Sequence, residues 1–157
     1  MFMPLEDRAE ISDLLARYGF ALDLRRWDEL RDVFTEDAGI HYSGTTEHTG
    51  IDDIVTFFRV TASSVAATQH LMHTSRVWPT GPDTAEGLTH VTAHHAAHGV
   101  PPPVPAESTF TVTGTYTDLF ARTSRGWRIR HRRLTLHTQS GDPSILVVQK
   151  ERASGTG

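Results

Sequence analysis

Apolar side chains recur at Ile11, Leu14, Leu15, Tyr18 and Leu22, the i, i+3, i+4, i+7, i+11 stripe of an amphipathic helix over residues 5 to 22. Pro4 and the acids Glu6 and Asp7 suit its N-terminal end. Trp27, Leu30, Val33 and Phe34 predict a shorter second helix. Thr35 to Ala38 interrupts the pattern with polar residues, and Gly39 to Ser43 then alternates as a first strand. Ile51, Ile54, Val55 and Phe58 share one face of a third helix over residues 50 to 60, with Asp52 and Asp53 at its start.

Beyond residue 67 the period falls to two. Residues 68 to 78, 84 to 95, 107 to 120 and 126 to 137 predict four strands. The turns between them are TGPD, a longer connection containing PPPVP, and TSRG. Phe110, Val112, Gly114 and Tyr116 fall on one face of the third of these strands, and Thr109, Thr111, Thr113 and Thr115 on the other. One face is therefore covered and one wet. In the last strand Trp127, Ile129 and His131 are odd-numbered, whereas Leu134 and Leu136 are even-numbered. A two-residue period cannot change phase without a bulge, expected near Arg132. Residues 145 to 148 form a short apolar segment, and the tail over 138–157 is expected to be partly flexible. Helices first and long antiparallel strands afterwards define an α+β fold. The expected form is a cone-shaped barrel, a curved, mostly antiparallel sheet closed by three N-terminal helices around a partly unfilled interior.

Composition narrows this further. The 157 residues suit a single domain, 1–157, with one core. A net charge of -4 argues against nucleic acid as a partner. There is no cysteine, which removes disulfides, thiolate metal sites and cysteine nucleophiles. No basic-then-apolar leader and no apolar run of roughly 20 residues is present, so no membrane partner is expected and a cytoplasmic location is. Phosphate loops, nucleophile elbows and dinucleotide fingerprints are missing, and no cofactor is implied. Ten histidines are many, and His90, His94, His95 and His98 are clustered. On a helix His90, His94 and His98 would share a face suited to metal. The neighbouring Thr89, Val91 and Thr92 favour a strand instead, which sends His94 and His95 to opposite faces, and no metal is expected.

The segments EISDLLARYGFALDLRRWDELRDVF, GIDDIVTFF, TQHLMH and GTYTDLFARTSRGWRIRHRRL, in this order and spacing, resemble the SnoaL-like branch of the nuclear-transport-factor-2-like superfamily. That branch includes scytalone dehydratase, bile-acid dehydratases and polyketide cyclases. The resemblance implies a histidine base paired with an aspartate, and tyrosines that polarise a carbonyl. Asp23 and His70 match the acid and the histidine; Tyr42 and Tyr18 match substrate-facing tyrosines. His95 falls near a second histidine, with His94 as its rival, and Arg132 near an arginine, with Arg133 as its rival. A homo-oligomer, dimer or trimer, is also implied. The PPPVP connection and the histidine-rich HVTAHHAAH segment depart from the family pattern.

Each residue has a plainer reading. Asp23, in a last helical turn where an acid opposes the dipole, would pair with Arg25 or Arg26 at the surface. His70 would be an ordinary strand histidine, and Tyr18, Tyr42, Tyr116 and Trp27 ordinary core. The RIRHRR run would be a solvated basic edge, although a bulge can turn Arg132 inward toward an anionic or carbonyl group. The chemical reading makes His70, Asp23, Tyr42 and Tyr18 catalytic, and His95, Arg132, Tyr116 and Trp27 substrate-binding. The reaction expected is a cofactor-independent dehydration or cyclisation of a small carbonyl-bearing, polyketide- or steroid-like molecule. The alternatives are a non-catalytic binding module of the same fold, or an accessory subunit of a ring-hydroxylating oxygenase. The dyad reading requires Asp23 and His70 to approach within about 4 Å. On an ideal helix Tyr18 and Asp23 point about 140° apart, so both serve one pocket only if it wraps the helix tip.

Overall fold

The structure, a computed structural model, describes residues 2–146. Helix α1 spans Leu5–Asp23 and buries Ile11, Leu14, Leu15, Tyr18 and Leu22, the stripe read from the sequence. Its outer end is pinned to the sheet: Asp7 accepts from Trp127 Nε1 (3.0 Å) and Arg122 (2.7 Å). Glu10 accepts the backbone N–H of Trp127 at 2.7 Å. The predicted second helix is a 3-10 helix, Trp27–Asp32. Trp27, Leu30 and Val33 recur every three residues, which is the 3-10 period.

Strand β1 covers Phe34–Tyr42, and the residues read as an interruption lie within it, with Glu36 and Asp37 exposed between buried Phe34 and Ala38. A three-residue strand, β2 (Glu47–Thr49), was not foreseen; it is too short to carry a period. Helix α2 is Ile51–Ser63, and β3 (Ala67–Gly81), β4 (Thr84–Ala96), β5 (Thr109–Thr123) and β6 (Gly126–Gly141) follow. The six strands make one sheet in the order β2-β1-β6-β5-β4-β3, antiparallel except for the β1–β6 pair. The fold is the expected α+β cone, with α1, the 3-10 helix and α2 against the concave face. The sheet does not close into a barrel, because β2 and β3 end it as separate edges.

The phase change in β6 is real, but it occurs in two places. Leu119 pairs with His131 and Phe120 with Ile129, so Arg130 is an extra residue. Thr113 pairs with Thr138 and Gly114 with Leu136, so His137 is another. The bulge expected near Arg132 thus lies two residues earlier, and a second one follows. The first shifts the inward parity so that Trp127 and Ile129 face the core before it and Arg132 and Leu134 after it. Strand β6 also runs four residues past the expected His137. Val147, Val148 and the rest of the expected tail, 147–157, lie outside the described residues.

Candidate active site

Helix α1 ends at Asp23, with Leu24 as its cap. Arg25 adopts a left-handed backbone (φ 56°), and the N–H groups of Arg25 and Arg26 bond back to Leu22 (3.2 Å) and Ala21 (2.8 Å). That pair of bonds closes a helix whose next residue is left-handed, a position usually held by glycine. The Arg25 side chain then donates to the carbonyls of Val65 (2.6 Å) and Ala66 (3.1 Å), tying the helix tip to the start of β3. Asp23 is left at the tip, facing β3.

Asp23 does not pair with Arg25 or Arg26. Its Oδ1 accepts from His70 Nδ1 at 2.7 Å and from the Thr68 hydroxyl at 2.9 Å, and its Oδ2 from the His70 backbone N–H at 2.9 Å. Burial by itself would raise the Asp23 pKa; the bonds from His70 and Thr68 outweigh it and hold it below the ordinary 3.8. Asp23 is thus a carboxylate, which can only accept, so Nδ1 of His70 carries the proton. Nε2 is then the basic nitrogen, with no hydrogen-bond partner among the described residues, and His70 lines a cavity of about 450 Å3. The helix-tip condition is not met by direct contact: Tyr18 is buried behind the cavity wall on the helix flank, and Asp23 reaches the cavity only through His70.

The cavity lies between α2, the 3-10 helix and the concave face of β3 to β6. Leu22, Trp27, Phe57, Phe58, Val91 and Val112 supply an apolar wall, and Tyr42, Thr68, His70, His95, Tyr116 and Gln139 the polar points. No charged side chain lines it among the described residues. His95, not His94, faces inward; its Nδ1 donates to the Phe110 carbonyl at 3.0 Å, and burial lowers its pKa below 6.5. His94 lies outside and pairs with Thr111, as His73 does with Thr92. Among the described residues no group of three or more potential ligands is placed to hold a metal.

Two expectations need correction. Tyr18 is fully buried and does not reach the cavity; its hydroxyl bonds to those of Tyr42 and, at 3.3 Å, Tyr116, which do. Arg132 points inward, not Arg133, but it binds no cavity group. Asp118 takes it in a two-fold ion pair, and the rings of Tyr18 and Tyr116 cover it. Asp118 went unnoticed in the sequence, although it continues the face of Phe110, Val112, Gly114 and Tyr116, where an acid has no apolar rationale. Trp27 and Tyr116 line the cavity wall.

The chain belongs to the SnoaL-like domain family, whose model matches residues 3–133. No curated protein sequence matches it. Among solved structures it is similar to a protein from Novosphingobium aromaticivorans proposed to be an aromatic ring hydroxylase, at 28% identity and a TM-score of 0.79, covering 92% of this chain and 99% of that one. A second protein from that organism, proposed to be a scytalone dehydratase, matches at 18% identity and a TM-score of 0.78, over 95% of each chain. A hexachlorocyclohexane dehydrochlorinase from Novosphingobium barchaimii matches at 17% identity and a TM-score of 0.76, over 92% of this chain and 96% of that one. At such identities the last two show a shared fold.

Proposed function

We propose that the protein is a cofactor-independent lyase or cyclase acting on a small, neutral, carbonyl-bearing molecule. The observation that carries this is the Asp23–His70 contact of 2.7 Å at the wall of an apolar cavity. His70 Nε2 takes a proton from the carbon next to the carbonyl, and Asp23 balances the imidazolium that forms. Tyr42 and Tyr116 donate to the oxygen on which negative charge develops. The imidazolium then returns its proton to a hydroxyl leaving from the next carbon, so a hydroxy-ketone becomes an enone and water. If the enolate instead attacks a second carbonyl of the same molecule, a ring forms. His95, with Nδ1 committed to Phe110, offers Nε2 as an acceptor for a substrate hydroxyl. A cavity wall without charged side chains favours a neutral substrate, because a charge placed there is left unpaired. Neighbours described as a dehydratase and a dehydrochlorinase support an elimination.

The test is turnover of a panel of hydroxy-ketones and polyketide-like ketones by wild type and His70→Ala. Wild-type turnover that survives intact in His70→Ala overturns the mechanism. A second reading has one observation behind it, the likeness to a protein proposed to be an aromatic ring hydroxylase: an accessory subunit of a ring-hydroxylating oxygenase. Purification as a stable assembly without a larger partner counts against that reading. Such an assembly is expected to be a homo-oligomer covering the outer sheet face, where Leu88 and Leu119 are exposed.

A further inference from the structure

Arg132 and Asp118 form an ion pair in which both side chains are wholly buried. A buried ion pair is a poor source of stability, since two apolar residues of the same volume usually serve as well or better. Its surroundings suggest another use. Asp118 grips one edge of the guanidinium, with Nε and Nη2 at 2.7 and 2.8 Å from its two oxygens. On the other side Nη1 is buried, with no hydrogen-bond partner among the described residues. The guanidinium carbon stands 4.2 Å from the ring centre of Tyr18 and 4.0 Å from that of Tyr116. Asp118 pairs with Arg132 across β5 and β6, and one step further Tyr116 pairs with Leu134, where both line the cavity. The hydroxyl of Tyr18 joins those of Tyr42 and Tyr116.

We propose that Asp118 and Arg132 are positioning residues that polarise this tyrosine cluster from behind, making Tyr42 and Tyr116 a stronger site for an oxyanion. A cation over a phenol ring draws electron density from it, so the hydroxyl donates more strongly. Asp118 keeps the guanidinium charged and fixed in a place where a lone cation would be too costly. The tyrosines show both influences: burial raises their pKa values, and the charge on Arg132 opposes this in all three. The arginine acts without entering the cavity, so the wall stays uncharged while its hydroxyls are charge-assisted.

The proposal rests on the reading of this cavity as an oxyanion site, but its test needs neither His70 nor turnover. The probe is 4-nitrophenol, whose phenolate absorbs in the visible. Its binding across a range of pH gives the preference of the cavity for phenolate over phenol. Wild type is expected to favour the phenolate. Asp118→Leu combined with Arg132→Met removes both charges and should reduce that preference about tenfold or more, one pH unit in the ionisation of the bound probe. Asp118→Asn leaves the cation without its counter-charge and should change the preference in the opposite direction. A merely structural pair would lower it in both variants, and that result overturns the proposal. An unchanged preference in either variant, or no phenolate preference in wild type, does the same. If the doubly substituted protein does not fold, the sign of the Asp118→Asn effect decides. Failure of the proposed reaction would appear separately, as absent turnover with the phenolate preference intact.

Discussion

His70 and His95 stand on neighbouring strands with ring centroids 6.3 Å apart, and both commit Nδ1 to the protein, His70 to a carboxylate and His95 to a carbonyl. The two rings therefore hold the same tautomer for different reasons. Only His70 has an anion to support a positive charge; His95 has burial against it. In the proposed reaction His70 is therefore the base and His95 the neutral acceptor.

This asymmetry gives a pH dependence. The folded pKa of His95 lies below 6.5, first because burial disfavours its charged form. As pH falls below about 6.5 the unfolded chain binds a proton that native His95 resists, so stability drops through that window. His95→Gln should flatten the stability curve as pH falls below about 6.5, measured as urea midpoints. Asp23, with a pKa held below 3.8, contributes stability at higher pH that is lost as pH falls through its folded value. An identical slope in His95→Gln and wild type would refute the assignment.

Asp23→Asn retains the shape but can present an amide N–H to Nδ1, which favours the wrong tautomer of His70. The expected loss is about 100- to 10,000-fold in kcat with little change in KM. Because the two residues act as a unit, Asp23→Asn with His70→Ala should lose little more than His70→Ala alone. Steady-state kinetics on whichever ketone wild type turns over checks both statements, and additive losses would separate the residues.

Arg25 combines a left-handed backbone with a side chain clamped to Val65 and Ala66. Ala and Gly both lose the clamp, but only Gly relieves the backbone. Arg25→Ala should therefore be less stable than Arg25→Gly by about 1 kcal/mol in denaturant titrations. Equal stability would mean the backbone there is relaxed.

Gly114 lies beside the second bulge, where a Cβ would fall 2.6 Å from the Thr135 carbonyl oxygen and 2.9 Å from Leu134. The backbone oxygen cannot swing away as a side chain can. Gly114→Ala should cost about 1–3 kcal/mol, read as a lower melting temperature, and an unchanged Tm would show that the strands can part there.

The helices and long strands were legible because each buries one face, which stamps a period on the chain. Strand β2 and the exposed pair Glu36 and Asp37 of β1 bury little and carried no such mark. The dyad was visible only as an acid without a helical rationale and a histidine in a strand; their contact depends on the turn at Arg25, which no periodicity encodes. The parity of Arg132 could not be assigned while the bulge was misplaced by two residues. Asp118 was readable from parity alone, and it explains why Arg132 stays out of the cavity.

The bulge at Arg130 also divides the labour of a single strand. Before it, Trp127 and Ile129 pack in the core that receives α1; after it, Leu134 and Leu136 shape the cavity. Substitutions in the second half can therefore alter the cavity without disturbing the joint that holds the helix. Loss of Arg130 would remove only the extra residue: Ile129 would stay opposite Phe120, His131 opposite Leu119 and Arg132 opposite Asp118, so one deleted codon would straighten the strand while each half kept its inward face.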